Sequence, residues 1–370
     1  MESLISFATL AMLKVYFIQD YAGGRQLGDL VIAMEKKHRS TNRKVNDSHA
    51  RILLHIAVDI WFENPRAIAQ KLDLYHQNCL RSGQLHMAMA SIGVFTRYLL
   101  LGGGNLSLLK QTYDDKFPMV SKHSPFVAKY IALDSLLLTE LTGKSGDYFS
   151  VFGSISGMND LQDEAKSNKD MTLLQSSHVF CVMIEYWRGN YTAAEVHSSQ
   201  ASIIFPASKE PTIYNQFHAL FRGLVLFHLY RQESDNSKRL DEGKEMMDQV
   251  GKWAEVSEEV FGNKWYLLQA EYSASLKRDD AKQLYETSIK AAKDHGNIHE
   301  CGLALELYGD YHSSLGCTAD AYACYKNAHK YYSQWGATQV AERLLKKHNL
   351  TIESVGENAT GINGSSKRSR

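Results

Sequence analysis

Proline and cysteine are both scarce in this chain of 370 residues, which contains five of each. The prolines fall where a helix is expected to have ended already, at Pro65, Pro118, Pro125, Pro206 and Pro211. The cysteines are odd in number and scattered, which is typical of free, mostly buried thiols in a reducing compartment rather than of a disulfide framework. Even Cys317 and Cys324 lie too far apart along the chain for a typical pair of metal ligands.

An excess of charge is also lacking, because 41 Lys and Arg residues balance 41 Asp and Glu residues. Nucleic-acid binding through phosphate neutralisation needs a basic surplus. Only the last four residues, 367–370, form a basic group. We therefore expect no nucleic-acid partner.

Long apolar runs are missing as well. The most apolar segment, 4–18, has no basic leader, contains Lys14, and falls short of the ~18 apolar residues that a membrane span requires. We expect a buried first helix there, no membrane partner and a cytoplasmic location. Since this helix begins almost at Met1, the sequence is also compatible with a piece of a longer protein.

Strand patterns are absent, because no segment alternates apolar and polar residues for long. Helical segments instead alternate with short polar or glycine-containing turns. The predicted helix pairs are 3–38, 48–80, 82–113, 124–164, 171–205, 212–256, 262–295 and 299–334, followed by a short helix at 337–348. Residues 351–370 have the composition of a disordered C-terminal tail.

Two copies of one pattern stand out near the C-terminus. The matched positions are Trp265, Leu268, Tyr272, Ala281, Tyr285 and Ser288 in one copy, and Leu305, Tyr308, His312, Ala321, Tyr325 and Ala328 in the other. Large residues on a first helix are followed by a small residue and an aromatic on a second helix, which is the tetratricopeptide pattern. The small residue permits close approach of the two helices where they cross.

Weaker copies of the pattern lie upstream. Gly189 precedes Ala194 by the interval that separates Gly316 from Ala321, and similar offsets recur around Ala88. The repeats are clearest at 262–335 and weakest at 113–170. Because one hairpin cannot bury its apolar face alone, we predict an all-α, tetratricopeptide-like right-handed superhelix of about eight antiparallel helix pairs over 1–350.

Three motifs resemble reactive or ligand-binding sites but favour structural roles. Gly143-Lys144-Ser145 lacks the earlier glycine of a phosphate-binding loop and follows a helix instead of a strand. The glycines at 102–104 are typical of a helix end. His295 and His299 are separated by Gly296, which breaks the helix that a metallopeptidase motif needs. The sequence therefore predicts no catalytic residue, no cofactor and no metal.

Partner binding in a superhelix uses the concave face, which is lined mostly by first helices. In the two clearest repeats, four residues flank the packing positions on that side: Asn263, Tyr266, Glu306 and Asp310. They are the candidate partner-binding residues, and Tyr266 is favoured because aromatic anchors concentrate binding energy.

Several runs resemble the helical region of large multidomain signalling ATPases of the AAA and STAND types. The motifs that carry the resemblance are Ala291-Ala292-Lys293-x-His295-Gly296, Leu303-Ala304-x-Glu306-Leu307-x-Gly309 and Ala328-x3-Tyr332-x2-Trp335-Gly336-Ala337. In that family the helical region follows a P-loop ATPase domain, often with a kinase-like domain before it, and precedes histidine kinase or cyclase domains. This chain lacks those catalytic domains, so the resemblance implies a regulatory, partner-sensing role without ATP hydrolysis.

The function predicted from the sequence is that of a protein-interaction scaffold or regulatory module in signal transduction, with a protein or peptide partner on the concave face. An ATPase domain in a longer parent protein is a further expected neighbour. Two alternatives stay open: a superhelix that senses a ligand or peptide within such an ATPase, and an enzyme with an unrecognised site.

Overall fold

The computed structural model describes residues 2–40, 48–153, 155–204, 213–233 and 237–351. These residues form 17 α-helices and no strand. The helices are α1 (Glu2–Ile18), α2 (Tyr21–Ser40), α3 (Ser48–Ala57), α4 (Pro65–Arg81), α5 (Leu85–Leu101), α6 (Leu106–His123), α7 (Pro125–Thr142), α8 (Met158–Ser167), α9 (Met171–Arg188), α10 (Tyr191–Ile204), α11 (Ile213–Gln232), α12 (Ser237–Val256), α13 (Glu258–Ser275), α14 (Ala281–Asp294), α15 (Ile298–Ser314), α16 (Thr318–Trp335) and α17 (Thr338–Lys347). Neighbouring helices pack as hairpins, which confirms the predicted all-α helical-repeat class. The predicted tail lies outside the described residues from position 352 onward.

The hairpins owe their close packing to small residues, as predicted. Ala281 and Ala321 are buried where α13 meets α14 and where α15 meets α16. In the α15–α16 hairpin the approach is close at Gly309 of α15, where a Cβ atom would lie 2.5 Å from Cε1 of Tyr325. The phenol of Tyr325 continues past this glycine and donates to Asp310 at 2.9 Å. The aromatic of the repeat therefore packs against its own hairpin and also against the next element, since Tyr325 stacks on His348 and Tyr285 stacks on Tyr308.

Glycine turns separate the helices of several hairpins. Gly189 and Gly316 have φ angles of 79° and 76°, in the left-handed region that favours glycine. After Gly316, the amide of Cys317 donates to the carbonyl of His312 at 2.9 Å, which satisfies a carbonyl at the end of α15. Gly189 of the weaker upstream copy and Gly316 therefore have the same structural role, as their matched spacing predicts.

The pairing of helices within 48–164 differs from the prediction. The predicted pairs 48–80 and 82–113 are wrong, because α4 packs chiefly against α5 and α6 packs against α7. The short helix α3 packs mainly on α1, so the longer helix α4 pairs with α5 instead. The predicted pair 124–164 is also wrong, since α8 packs on α9. Pro118 lies inside α6, so the helix does not end before this proline as expected.

Helix α1 buries only one of its faces. Leu4, Ala8, Ala11 and Val15 are buried at helical spacing, whereas Phe17 and its neighbours on the other side are exposed. The expectation of a buried first helix therefore holds for one face. Among the described residues, none of the helices combines the length and the apolar character that crossing a membrane would need.

The inner side of the superhelix is filled by the chain itself. In α11, 16 of 20 residues are buried, whereas its neighbour α10 buries only Ala194, Ser198 and Ala201. Helices α5, α7, α9, α11, α15 and α16 converge on an apolar cavity of about 20 Å³, too small for anything larger than a water. First helices (α9, α11 and α15) and second helices (α5, α7 and α16) therefore line this interior in equal number, contrary to the prediction that first helices dominate, and most of it is core.

Contacts between distant parts of the chain close this arrangement. Asn64, before α4, donates to Asn297, before α15, at 2.5 Å. Thr338 of α17 donates to the carbonyl of Thr142, at the end of α7, at 2.7 Å. The rings of Trp61 and Trp253 also meet, with centroids 5.4 Å apart. Hairpins that are distant along the chain therefore support each other.

Candidate functional site

One cleft of about 650 Å³ opens where the ends of α9, α11, α15 and α17 meet. Its lining combines aromatic side chains, histidines and charges of both signs. The residues are Tyr186, Trp187, Arg188, Gly189, Tyr191, His228, Gln232, Glu306, Leu307, Asp310, Ser313, Ser314, Tyr325, Val340, Arg343, Leu344, Lys347 and His348. A volume of this size lies within the range of ~300–1,000 Å³ that is usual for ligand pockets.

Two carboxylates and one lysine form the charged centre of the cleft. Glu306 and Asp310 are one turn apart on α15, so their side chains lie on the same face. The Nζ atom of Lys347 donates to Glu306 at 3.2 Å and to Asp310 at 2.9 Å. Desolvation opposes the charge on Lys347, but the two carboxylates outweigh it and raise the pKa of this lysine. The centre carries one more negative than positive charge.

Phenol groups hold the carboxylates in place from the other side. Tyr332 donates to Glu306 and Tyr325 donates to Asp310, both at 2.9 Å. Each phenol comes from α16, the second helix of the same hairpin. Packing of the repeat therefore fixes both acids, and less conformational freedom is lost when they bind a ligand.

Stacked aromatic pairs form the walls. Tyr191 stacks on His228 and Tyr325 stacks on His348, each with ring centroids 3.6 Å apart. Burial lowers the pKa of His228 and of His348 to about 4. Both imidazoles are consequently neutral near pH 7, and they offer flat surfaces rather than charge.

The rim of the cleft is joined to α7 through Glu140. This carboxylate accepts from Arg188 of α9 and from Arg343 of α17, both at 2.9 Å. Its side chain is only 7% exposed, whereas that of Arg188 is 49% exposed. Glu140 therefore links α9 and α17, the helices on the two sides of the rim, through ion pairs with both arginines.

Comparison of the chain with protein-family models, curated proteins and solved structures found no match. The geometry of the cleft is accordingly the basis for assigning a function.

The four predicted partner-binding residues fall into two groups. Glu306 and Asp310 both line the cleft, whereas Asn263 and Tyr266 do not. Asn263 is 2% exposed and donates to Glu300 at 2.6 Å, so its side chain belongs to the core and is not available to a partner. Tyr266 is half-buried and donates to Glu258 at 3.1 Å.

Sequence reasoning missed most of the remaining cleft residues. Lys347 and His348 come from the last helix, which the repeat pattern does not describe, and Tyr191 and His228 come from hairpins with weaker patterns. A signal for Lys347 does exist: a helix that follows the last hairpin is expected to pack on it, which brings its basic end to the acids of α15.

The motifs assigned to turns by the sequence lie at turns. Gly143 caps α7 with a φ angle of 70°, so Gly-Lys-Ser follows a helix end. Gly296 lies in the turn between α14 and α15, and His299 is packed against Gly103. Burial lowers the pKa of His299 to about 4, which keeps this ring neutral within the core.

Proposed function

We propose that this protein is an interaction module whose cleft receives a segment of a protein partner. The observation that carries the proposal is the cleft itself, a recess of about 650 Å³ beside a core whose own cavity measures only about 20 Å³. It contains two of the residues chosen for partner binding, Glu306 and Asp310. Partner selection in signal transduction, in the cytoplasm, is the role that we assign to it.

The chemistry of the cleft points to a basic side chain flanked by apolar residues. The carboxylates of Glu306 and Asp310 exceed Lys347 in charge, so a cation from a partner gains by approaching them. The stacked rings of Tyr191 and His228 offer a flat surface for apolar or planar groups. Lys347 is 41% exposed and, in this proposal, swings aside when a partner's cation takes its place.

A small ligand is the second candidate, and the size of the cleft favours it. This second proposal agrees with the resemblance to the helical region of signalling ATPases. In a longer protein of that kind, ligand binding to the cleft would regulate catalytic domains elsewhere in the chain.

The test is selection of peptides from a random library against the full chain, followed by calorimetry with cleft variants. Asp310→Asn should weaken a selected basic peptide by about fivefold, because a partly exposed ion pair is worth about 1 kcal/mol. Lys347→Met should tighten the same peptide, since it removes the competing cation. Lys71→Met is the matched control: Lys71 is 44% exposed and pairs with Glu63 outside the cleft.

Peptides that bind all three variants alike would contradict the proposal. Thermal-shift screening against metabolites separates the second candidate, because a small ligand that raises Tm in wild type but not in Asp310→Asn supports a sensor.

A further inference from the structure

The turn between α15 and α16 brings together three side chains that commonly ligate metals. His312 belongs to the last turn of α15, Cys317 caps the N-terminus of α16, and Asp320 lies in its first turn. One ligand atom from each residue lies within 4.8 Å of the other two. None of the three residues lines the cleft described above.

His312 is the buried member of this group. It is 6% exposed, and its Nδ1 atom is buried without a hydrogen-bond partner. Buried ring nitrogens normally have a hydrogen-bond partner, so one without a partner calls for an explanation. The ring is held against Tyr308, with centroids 4.3 Å apart.

Cys317 is the exposed cysteine of the chain, whereas the other four are buried. Its side chain makes no capping hydrogen bond at the N-terminus of α16. Asp320 is likewise exposed and has no ion-pair partner among the described residues. Both side chains are therefore free to move toward a cation.

The charge around the turn also favours a cation. The carboxylate of Glu286 acts on the ring of His312, and those of Asp279 and Asp280 act on Tyr311 beside it. Lys282 is the positive charge that opposes them at His312. At His312 itself, Glu286 and Asp320 face Lys282, which leaves one negative charge in excess before any metal binds.

We propose that His312, Cys317 and Asp320 form a zinc-binding site with a fourth position open to solvent. One nitrogen, one thiolate sulfur and one carboxylate oxygen suit Zn²⁺, which adopts three protein ligands and a water in open sites. A tetrahedral shell with bonds of about 2.0–2.3 Å separates its ligand atoms by about 3.3–3.8 Å, so the exposed side chains need to close by only about 1 Å. The thiol proton of Cys317 leaves to solvent when the metal binds.

The bound metal would join the end of α15 to the start of α16. This turn also fixes the register of the hairpin that carries Glu306 and Asp310, but zinc binding does not depend on the function proposed for the cleft. Failure of either proposal leaves the other intact.

The experiment is titration of the untagged, reduced full chain with Zn²⁺ by calorimetry, and with Co²⁺ by visible absorption. One equivalent should bind, and Co²⁺ should give the ligand-field bands of a tetrahedral site together with a thiolate charge-transfer band. Cys317→Ser and Asp320→Asn change exposed residues and should keep the fold while weakening Zn²⁺ at least about tenfold. Asp163→Asn is the control, because Asp163 is an acid 77% exposed on α8.

Alkylation of Cys317 gives an independent measurement. Bound Zn²⁺ should slow the reaction of this thiol with iodoacetamide, whereas the buried cysteines stay unreactive with or without metal. Absence of binding, equal affinity in Cys317→Ser, or alkylation unaffected by Zn²⁺ would each overturn the proposal.

Discussion

Replacing Gly309 with alanine should destabilise the protein, although alanine is the better helix former. A Cβ atom at this position would lie 2.5 Å from Cε1 and 2.7 Å from Cδ1 of Tyr325. That ring cannot retreat freely, because it stacks on His348 and donates to Asp310. Overpacking of this kind costs about 1–3 kcal/mol, and helix propensity returns about 1 kcal/mol. The net loss is therefore up to about 2 kcal/mol.

Gly28→Ala is the matched control, within helix α2. A Cβ atom there would lie 3.6 Å from the nearest atom, Cδ2 of Leu54, which is an ordinary contact. This substitution should stabilise the protein by about 0.5–1 kcal/mol. Urea unfolding gives both values, and amide hydrogen exchange should localise the Gly309 effect to α15 and α16.

A double substitution tests the cause. In a Tyr325→Ala background the clash is gone, so Gly309→Ala should become neutral or stabilising. If Gly309→Ala in the wild-type background stabilises as much as Gly28→Ala, then close packing of the hairpin is not what keeps glycine at this position.

Three further predictions concern the core and the closing contacts. Burial lowers the pKa of His218 to about 4, whereas an unfolded histidine titrates near a pH of about 6.5. Between about pH 7 and 5 only the unfolded state therefore gains this proton, and the free energy of unfolding falls by about 2 kcal/mol. In urea titrations, His218→Gln should remove that share of the pH dependence. Thr338→Val removes the hydrogen bond to α7 and should cost about 0.5–1.5 kcal/mol, with faster amide exchange in α17; unchanged exchange would argue against that contact. Glu140→Ala leaves Arg188 and Arg343 without their shared carboxylate. Because both arginines are partly exposed, we expect the free energy of unfolding to fall by about 1–2 kcal/mol, with faster amide exchange at the rim of the cleft. A decrease below about 0.5 kcal/mol would contradict this role of Glu140.

Local features of the fold could be predicted because they depend on short stretches of sequence. Ala281 and Ala321 are buried between helices because a small side chain is needed where two helices cross, and that need leaves a fixed spacing. Gly316 ends its helix because φ of 76° suits glycine. These features require no knowledge of distant residues.

Features that depend on distant contacts could not be predicted. The partner of α4 is α5 because α3 is short and packs on α1, and no local pattern records that choice. Asn263 lies on a first helix, as expected, but the side that the repeat pattern marks as concave is occupied there by Glu300 and Lys264. The cleft requires α17 to return to α7, and Thr142 and Thr338 are joined over a separation of 196 residues.

The contacts between Asn64 and Asn297 and between Thr142 and Thr338 change how this molecule responds to damage. An open array of hairpins frays from its ends, and each unit depends only on its immediate neighbours. Here a cut near one terminus removes support from the opposite half, so we expect truncated versions to melt as a whole and not to survive as shorter rods. The same contacts mean that loss of α17 would remove a packing partner from α7, in the middle of the chain, as well as from α16.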